Sequence, residues 1–381
     1  MTEKKRHKNI PIFIPHLGCP NACVFCNQRV ISGQNSFSED DVEGQIERAV
    51  ATLHPGDEAE IAFFGGSFTG IDRGLMIRLL MIADKFVARG AVTGVRCSTR
   101  PDYIDGEILD ILREHHVHTV ELGLQCLSDE VLTICRRGHD RETALRACRM
   151  VKDAGLSLVG QMMIGLPGAT PEDETETART ICDMGADAAR VYPTVVFRKT
   201  ELCRMTDDGE YIPLDTESAV ERTKNVLDIF DRRGVPVIRV GLCSGENLSS
   251  PDEVRGGANH PALGELAMGE LFFERECEAL EKLPDVNADV NANGNAYVNA
   301  NGNADVADGD KKSLGVTIFV PVGAVSMAVG QKRRNILRLM GKYSVRKGIN
   351  RIKILEKSEL IGYNIIIGSV YSIRDGSEKY S

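Results

Sequence analysis

The 381 residues contain no tryptophan, and aromatic side chains make up only 5% of them, so any core must be filled mainly by aliphatic and sulfur-bearing side chains. No apolar stretch follows the polar, basic start MTEKKRHKN, which argues against a secretory leader there. Long hydrophobic runs are missing too. The uncharged stretch Leu314 to Gly330 has barely the length of a bilayer span and is interrupted by Pro321 and glycines, so no membrane segment is expected. An even cysteine count is also absent: eleven cysteines in a chain of this length exclude a small disulfide-stapled domain and point to a reducing, cytoplasmic setting. Excess positive charge is lacking as well. The 55 acidic against 46 basic residues leave a formal charge of −9, which argues against an all-over basic coat for nucleic acid. What is present, 42% apolar residues, suffices for one full-sized core and a smaller second one.

Between Ile10 and about Ile238, short β-like runs alternate with longer helical stretches. The runs are IPIFI (10–14), EIAFF (60–64), VTGVRCS (92–98), HTVELGL (118–124), LSLVGQMMI (156–164) and AARVYPTVV (188–196). Helical stretches separate them, with Ser38 and Thr170 as candidate N-caps, the latter followed by Pro171 and Asp173. Six such alternations predict an α/β fold with a parallel sheet wrapped by helices, either open and doubly wound or a partial (β/α) barrel. Residues 285–310 repeat Val, Asn, Ala, Gly and Asp without a lysine or arginine and are expected to form a low-complexity, disordered insert. The expected organisation is a core over 1–240, a helical extension over 241–284, that insert, and a small basic α+β region over 311–381.

The sharpest motif is GCPNACVFCN, which sets Cys19, Cys23 and Cys26 in C-x3-C-x2-C spacing directly after the first strand. Three thiolates on one short loop can each hold one iron of a 4Fe-4S cluster and leave the fourth iron open. Zinc is the competing reading, with His16 as a further ligand, but a structural zinc site wants four ligands. The other eight cysteines are scattered and form no second C-x2-C pair; they are expected as small buried side chains. A Gly65-Gly66-Ser67 turn ends the second strand, where missing side chains let backbone groups approach a ligand.

C-x3-C-x2-C after the first strand resembles the signature of the radical S-adenosylmethionine (radical SAM) superfamily. That resemblance implies a partial (β/α)6, TIM-like barrel, a 4Fe-4S cluster on Cys19, Cys23 and Cys26, and S-adenosylmethionine chelated at the open iron. It also implies that Phe25 packs against adenine and that Gly65, Gly66 and Ser67 hold the methionine amino group. STRPDY (98–103), VELGLQ (120–125), RGH (137–139), VYPT (191–194) and GLSLVGQMMIGLP (155–167) together resemble the radical half of the Elongator catalytic subunit, which modifies the wobble uridine of certain tRNAs. By that resemblance Thr99 and Arg100 lie near the ribose or the cluster, Gln125 near the nucleoside and Arg137 near the methionine carboxylate. Met163, Ile164 and Gly165 border the adenine. Ordinary uses stand beside these: Arg100 or Arg137 pairing with Asp102 or Glu121, Phe25, Met162, Met163 and Tyr192 filling core, and His139 serving either acid-base chemistry or a helix cap.

Two departures from the Elongator subunit matter. Its cysteine loop is more widely spaced, and its acetyltransferase domain has no counterpart expected here, because the residues after the insert are few and show no acyl-coenzyme loop of the R/Q-x-x-G-x-G/A kind. A separate acyl donor or partner protein is the expected substitute, together with an external one-electron reductant. Residues 311–357 hold twelve Lys or Arg against the single acid Glu356. Lys332, Arg333, Arg334, Arg338, Lys342, Arg346, Lys347, Arg351 and Lys353 are therefore candidate RNA contacts, through backbone and shape more than stacking. The leading expectation is a radical SAM enzyme acting on tRNA. The alternatives are radical chemistry on a small molecule, as in oxygen-independent coproporphyrinogen oxidase, and a non-catalytic cluster-bearing RNA-binding protein.

Overall fold

The computed structural model describes residues 7–14, 17–19, 23–33, 37–242, 250–283, 285 and 313–373. His16, Cys243, Lys311, Lys312 and the expected insert beyond Asp285 lie outside the described residues. Residues 1–263 and 264–381 form two compact units, each with its own sheet.

In the first unit the alternating runs become β1 (His7–Ile14), β2 (Glu58–Gly65), β3 (Gly94–Thr99), β4 (Val117–Gln125), β5 (Ser157–Ile164) and β6 (Ala188–Pro193). Two short strands, β7 (Val195–Phe197) and β9 (Val254–Gly257), pair antiparallel, so the expected helical extension contains a strand. A further strand, β8 (Val237–Val240), joins the main sheet, which runs β1-β2-β3-β4-β5-β6-β8 with every pairing parallel. The partial barrel thus has seven strands rather than six; four residues are too few for β8 to stand out by alternation. His7 and Asn9 of β1 line the same cavity, about 400 Å³, as Ile238 and Arg239 of β8. The sheet is therefore curled, with its two edge strands facing one inner space.

Helices α1 (Gln28–Ser32), α2 (Val42–Val50), α3 (Arg73–Ala88), α4 (Gly106–Glu114), α5 (Asp129–Ile134), α6 (Arg141–Asp153), α7 (Pro171–Asp183), α8 (Glu201–Asp207) and α9 (Thr216–Arg232) connect the strands. Asp72, Asp105, Asp140 and Asp215 each accept a first-turn backbone N–H at the starts of α3, α4, α6 and α9. Thr170 and Asp173 close a reciprocal capping box on α7. Ser38 makes no cap bond, and a 3-10 turn (Glu39–Asp41) leads into α2 instead. The apolar sides of strands and helices meet in one core that includes Ile12, Ile61, Phe63, Leu79, Val95, Leu112, Val120, Leu158, Val191 and Phe230.

The inner face of the sheet is charged. Glu121, 1% exposed, receives Arg96 at 3.1 Å and Arg190 at 3.0 Å, and Arg96 also reaches Glu60 at 3.6 Å. Burial pushes the Glu121 carboxyl above its ordinary range against the pull of both arginines. Removing either partner from such a group costs about 3–5 kcal/mol.

The second unit contains α10 (Leu263–Glu281), β10 (Ser313–Val320), α11 (Val325–Val329), α12 (Arg334–Lys347), β11 (Ile349–Glu356) and β12 (Ile366–Ile373). Its sheet runs β11-β10-β12, parallel on one side of β10 and antiparallel on the other. One face packs on the helices through Val316, Ile318, Val320, Ile352, Phe272, Leu280, Leu339 and Tyr343. No helix among the described residues is long and apolar enough to cross a membrane.

Glu276, midway between Phe272 and Leu280 on α10, is fully buried and neither carboxylate oxygen has a hydrogen-bond partner. Burial alone raises its pKa to about 9. The folded state therefore binds this proton more tightly than the unfolded chain, so stability is highest below the ordinary carboxylate range and falls as pH rises towards about 9. Glu276→Met is expected to raise the thermal midpoint at pH 8, by an amount equivalent to about 1–3 kcal/mol, and to flatten that decline. Melts from pH 5 to pH 9 test this, and an unchanged pH dependence would contradict it.

Candidate functional site

The chemistry-bearing residues gather where the parallel strands end. After β1, Leu17 and Gly18 run against the turn that follows β2. The N–H of Gly66 donates to the Ile14 carbonyl at 2.9 Å and that of Ser67 to the Leu17 carbonyl at 3.1 Å. A Cβ on Gly66 would lie 2.0 Å from the Leu17 oxygen, and one on Gly18 2.2 Å from the Ser67 oxygen. Both glycines are thus required by contact, and Gly18 also has φ +71°. Beyond the first cysteine, the Val24 N–H donates to the Cys135 carbonyl at 3.3 Å and the Val24 carbonyl accepts from Leu202 at 2.8 Å. The Val24 side chain is buried with Cys126, Val131, Leu166 and Leu202. The cysteine loop is therefore held at both of its described ends.

Two arginines converge on Cys23. Arg137 donates from Nη1 to Cys23 Sγ at 3.2 Å and from Nη2 to the Gly123 carbonyl at 2.6 Å. Arg100 approaches the same sulfur at 4.0 Å, grips both Asp102 oxygens at 2.9 and 2.8 Å and donates to the Arg137 carbonyl. Burial raises the Cys19 thiol's pKa in spite of Arg100. Burial followed by Cys23 and Cys19 pushes Cys26 up to about 12. The raised thiols of Cys19 and Cys26 suit a site completed by a cation, which reverses that electrostatic preference. Among the described residues no three His, Cys, Asp or Glu side chains converge on a single ion. A 4Fe-4S cluster would take each of the three thiolates on a different iron, whereas one structural zinc ion wants four ligands of its own. The donor set fits the cluster.

The other candidates divide. Phe25 and Met163 both border the apolar cluster around Val24 and Leu166, so the structure brings them together beside the loop. The Ile164 side chain is buried in the main core. Gly165 has both backbone groups occupied, its N–H by Glu174 at 2.6 Å and its carbonyl by the Tyr211 hydroxyl at 2.6 Å. Ser67 and Thr99 are buried and hydrogen-bond each other at 2.7 Å; Thr69 adds a 2.6 Å bond to Thr99, and Arg100 N–H one of 3.2 Å to Ser67. Their hydroxyls tie the end of β3 to the turn after β2. Gln125 closes β4 with φ +63°, a conformation costly for a side-chain-bearing residue and concentrated at functional sites; its Oε1 receives Gln161 at 3.4 Å. The His139 side chain is buried without a hydrogen bond on either nitrogen, with Nδ1 3.5 Å from Asp102, and burial with nearby Arg137 lowers its pKa to about 4. The cap of α6 is Asp140, not His139.

The basic segment is partly used up internally. Lys347 is only 1% exposed and binds Asp285 at 2.8 Å and the Leu283 carbonyl, which removes it from the RNA candidates. Arg338 places Nη1 2.7 Å from both Glu270 oxygens and lies over the Phe273 ring. Arg346 pairs with Glu281 at 2.8 Å and Asp285 at 2.9 Å, while Arg334 and Lys342 lie 3.8 Å from Glu270 and Glu281. Lys332, Arg333, Arg351 and Lys353 are exposed.

Thr69, Gln161, Tyr211 and the buried Glu174, whose carboxylate Arg222 grips at 2.7 and 2.8 Å, carry no motif that marks them in the sequence. A readable signal existed for Arg96, Glu121 and Arg190, since a charge in mid-strand between apolar neighbours marks an inward face that needs a partner.

Residues 13–181 match the model of the Radical SAM superfamily, and residues 186–271 match the Radical_SAM C-terminal domain. Together the two take up about two thirds of the chain. A tRNA uridine(34) acetyltransferase of Methanocaldococcus jannaschii is 30% identical over 206 residues, which are 47% of this chain and 37% of that protein. An uncharacterised protein of the same organism is 29% identical over 237 residues, 59% of this chain and 72% of that one. Thus the chain spans little more than a third of the acetyltransferase's length. Among solved structures, the archaeal Methanocaldococcus infernus Elp3 shares the fold with a TM-score of 0.56 at 22% identity, over 72% of this chain and 64% of that one.

Gly66→Ala or Gly18→Ala is expected to unseat the cysteine loop and reduce bound iron after anaerobic reconstitution to a small fraction of the parent's, with little change in secondary structure. Cys182→Ala, distant in sequence from the motif, should leave iron and sulfide content unchanged. Equal iron in all three variants would refute the arrangement.

Proposed function

We propose, on the premise that the chain belongs to the radical SAM superfamily, that it cleaves S-adenosylmethionine at a 4Fe-4S cluster held by Cys19, Cys23 and Cys26 and uses the product to modify a tRNA base. The observation that carries this reading is Cys23, fixed by Arg137 in a loop seated on the Gly65-Gly66 turn at the carboxyl ends of the parallel strands. When bound, the cluster supplies the electron, drawn from an external reductant, that breaks the sulfonium of S-adenosylmethionine to give a 5′-deoxyadenosyl radical. Arg137 and Arg100 orient the middle thiolate and offset its charge. Gly65 and Gly66, whose missing Cβ atoms admit the backbone of Ile14 and Leu17, seat the turn that would face the methionine end, and Phe25 with Met163 offers an apolar surface to the adenine. Ser67 and Thr99 brace the turn from below rather than meeting the cofactor, since their hydroxyls bond each other.

The tRNA half of the reading draws on the relatives whose names carry uridine-34 chemistry and on the basic residues of the second unit. On reduction with dithionite, the anaerobically reconstituted protein is expected to release 5′-deoxyadenosine, and Cys23→Ala is expected to abolish it. Iron-loaded protein that leaves S-adenosylmethionine intact would overturn the enzyme reading. Modified nucleosides in tRNA from a deletion strain should differ from the parent's at one species; identical profiles would overturn the tRNA reading in favour of a small-molecule substrate.

A further inference from the structure

We infer that Arg137 and Arg100, converging on Cys23, set the reduction potential of the cluster that the cysteine loop would hold, and that Asp102 is the positioning residue that moderates them. This rests on the cluster half of the reading above and gives these side chains a role apart from contact with S-adenosylmethionine.

The potential of an iron–sulfur site follows its net charge, the hydrogen bonds to its sulfurs and its exposure to solvent. All three act at Cys23. Arg137 donates from Nη1 to Cys23 Sγ at 3.2 Å, and Arg100 brings its own Nη1 to 4.0 Å from the same atom. At Cys26 the donor is instead the neutral Gln28 amide, 3.5 Å from Sγ. Cys23, Arg100 and Arg137 are all buried, so solvent screens the two guanidinium charges little. Burial raises the thiols of Cys19 and Cys26, and the Arg137 charge opposes it at both, so its field spans the loop. An electron entering the site adds negative charge, and a cation hydrogen-bonded to a ligand sulfur favours that reduced form.

Both guanidinium groups are aimed from their far sides. Arg137 spends Nη2 on the Gly123 carbonyl at 2.6 Å. Arg100 donates Nε and Nη2 to the two Asp102 oxygens at 2.9 and 2.8 Å, and Nη2 also to the Arg137 carbonyl. In each arginine Nη1 is the nitrogen turned to the sulfur. Asp102 is bounded in turn by His139 Nδ1 at 3.5 Å. It therefore does two things: it fixes where Arg100 points, and it offsets part of the charge that Arg100 brings. The three side chains separate by sign. Neutralising either arginine withdraws positive charge and lowers the potential, whereas neutralising Asp102 withdraws negative charge and raises it. A loosened loop gives no reason for opposite signs.

A mediated dithionite titration of the anaerobically reconstituted full chain, without S-adenosylmethionine and followed by electron paramagnetic resonance, tests this. One electron passes from dithionite to the cluster, and no bond is made or broken. Arg137→Gln is expected to disfavour reduction about tenfold, or about 59 mV for one electron, and Arg137→Lys, which keeps the charge, less than about threefold. Arg100→Gln should disfavour reduction about threefold and Asp102→Asn should favour it about threefold. Iron and sulfide content identifies any variant that has lost its cluster. If Arg137→Gln is one of these, the opposite signs at Arg100 and Asp102 decide. Loaded variants with the parent's midpoint, or shifts in one direction at both Arg100 and Asp102, would overturn the inference. Loss of iron from all the variants would overturn it too, because their role would then be to brace the loop. A parent that binds no cluster would overturn the underlying reading instead.

Discussion

The site depends on one backbone-to-backbone contact. Leu17 and Gly18 lie against Gly66 and Ser67 so closely that a single Cβ at either glycine would overlap a carbonyl oxygen by more than an ångström. That closeness allows the Gly66 and Ser67 N–H groups to bond the chain leaving β1, which fixes where the cysteine loop begins. The turn is in turn anchored to β3 by the Ser67–Thr99–Thr69 hydroxyl chain, and Arg100, directly after Thr99, delivers its guanidinium towards Cys23. One close approach between the first two strand ends therefore propagates to the third, and the fourth enters through the Gly123 carbonyl that holds Arg137.

The inner face explains why these strand ends can be polar without unravelling the sheet. Arg96, Glu121 and Arg190 sit on three adjacent or near-adjacent strands and share their charges at 3.0–3.1 Å, while Arg190 also reaches the Tyr192 hydroxyl and the Phe64 ring. A buried charge that is paired and hydrogen-bonded is tolerated, and an orphaned one is not. The charged interior therefore locks the register of β3, β4 and β6, because a one-residue slip would drive three ions into the apolar layer beneath the helices. Position along the barrel axis, and with it the alignment of the strand ends, follows from that constraint.

Much of this was legible beforehand. Six strands came from alternation, the Thr170 cap from its Pro171 and Asp173 neighbours, and the cysteines and glycines from spacing. Partner choice was not legible: Asp102 and Glu121 were both candidates for Arg100 and Arg137, yet Asp102 takes Arg100, Glu121 takes Arg96 and Arg190, and Arg137 goes to a sulfur and a carbonyl. All of these pairings except Arg100 with Asp102 join strands or loops far apart in sequence, and no local pattern specifies them. The same reason explains Ser67 and Thr99, whose residue types suit a ligand contact and a structural brace equally. Only the distance between them separates the two roles.

The C-terminal basic segment shows how a charge count misleads when helix and strand share it. Twelve cations against one acid within residues 311–357 describe a linear stretch, but the charges that neutralise it, Glu270, Glu281 and Asp285, come from α10 and the residues just after it. Helical spacing puts Arg334, Arg338 and Lys342 on one side of α12, four residues apart, where α10 can meet them. Strand spacing carries Arg351 and Lys353 to the face of β11 opposite Ile352 and Ile354. Much of the local excess of positive charge is thus compensated within the unit, along α12. The sequence count therefore overstates the charge that the unit presents to an outside partner.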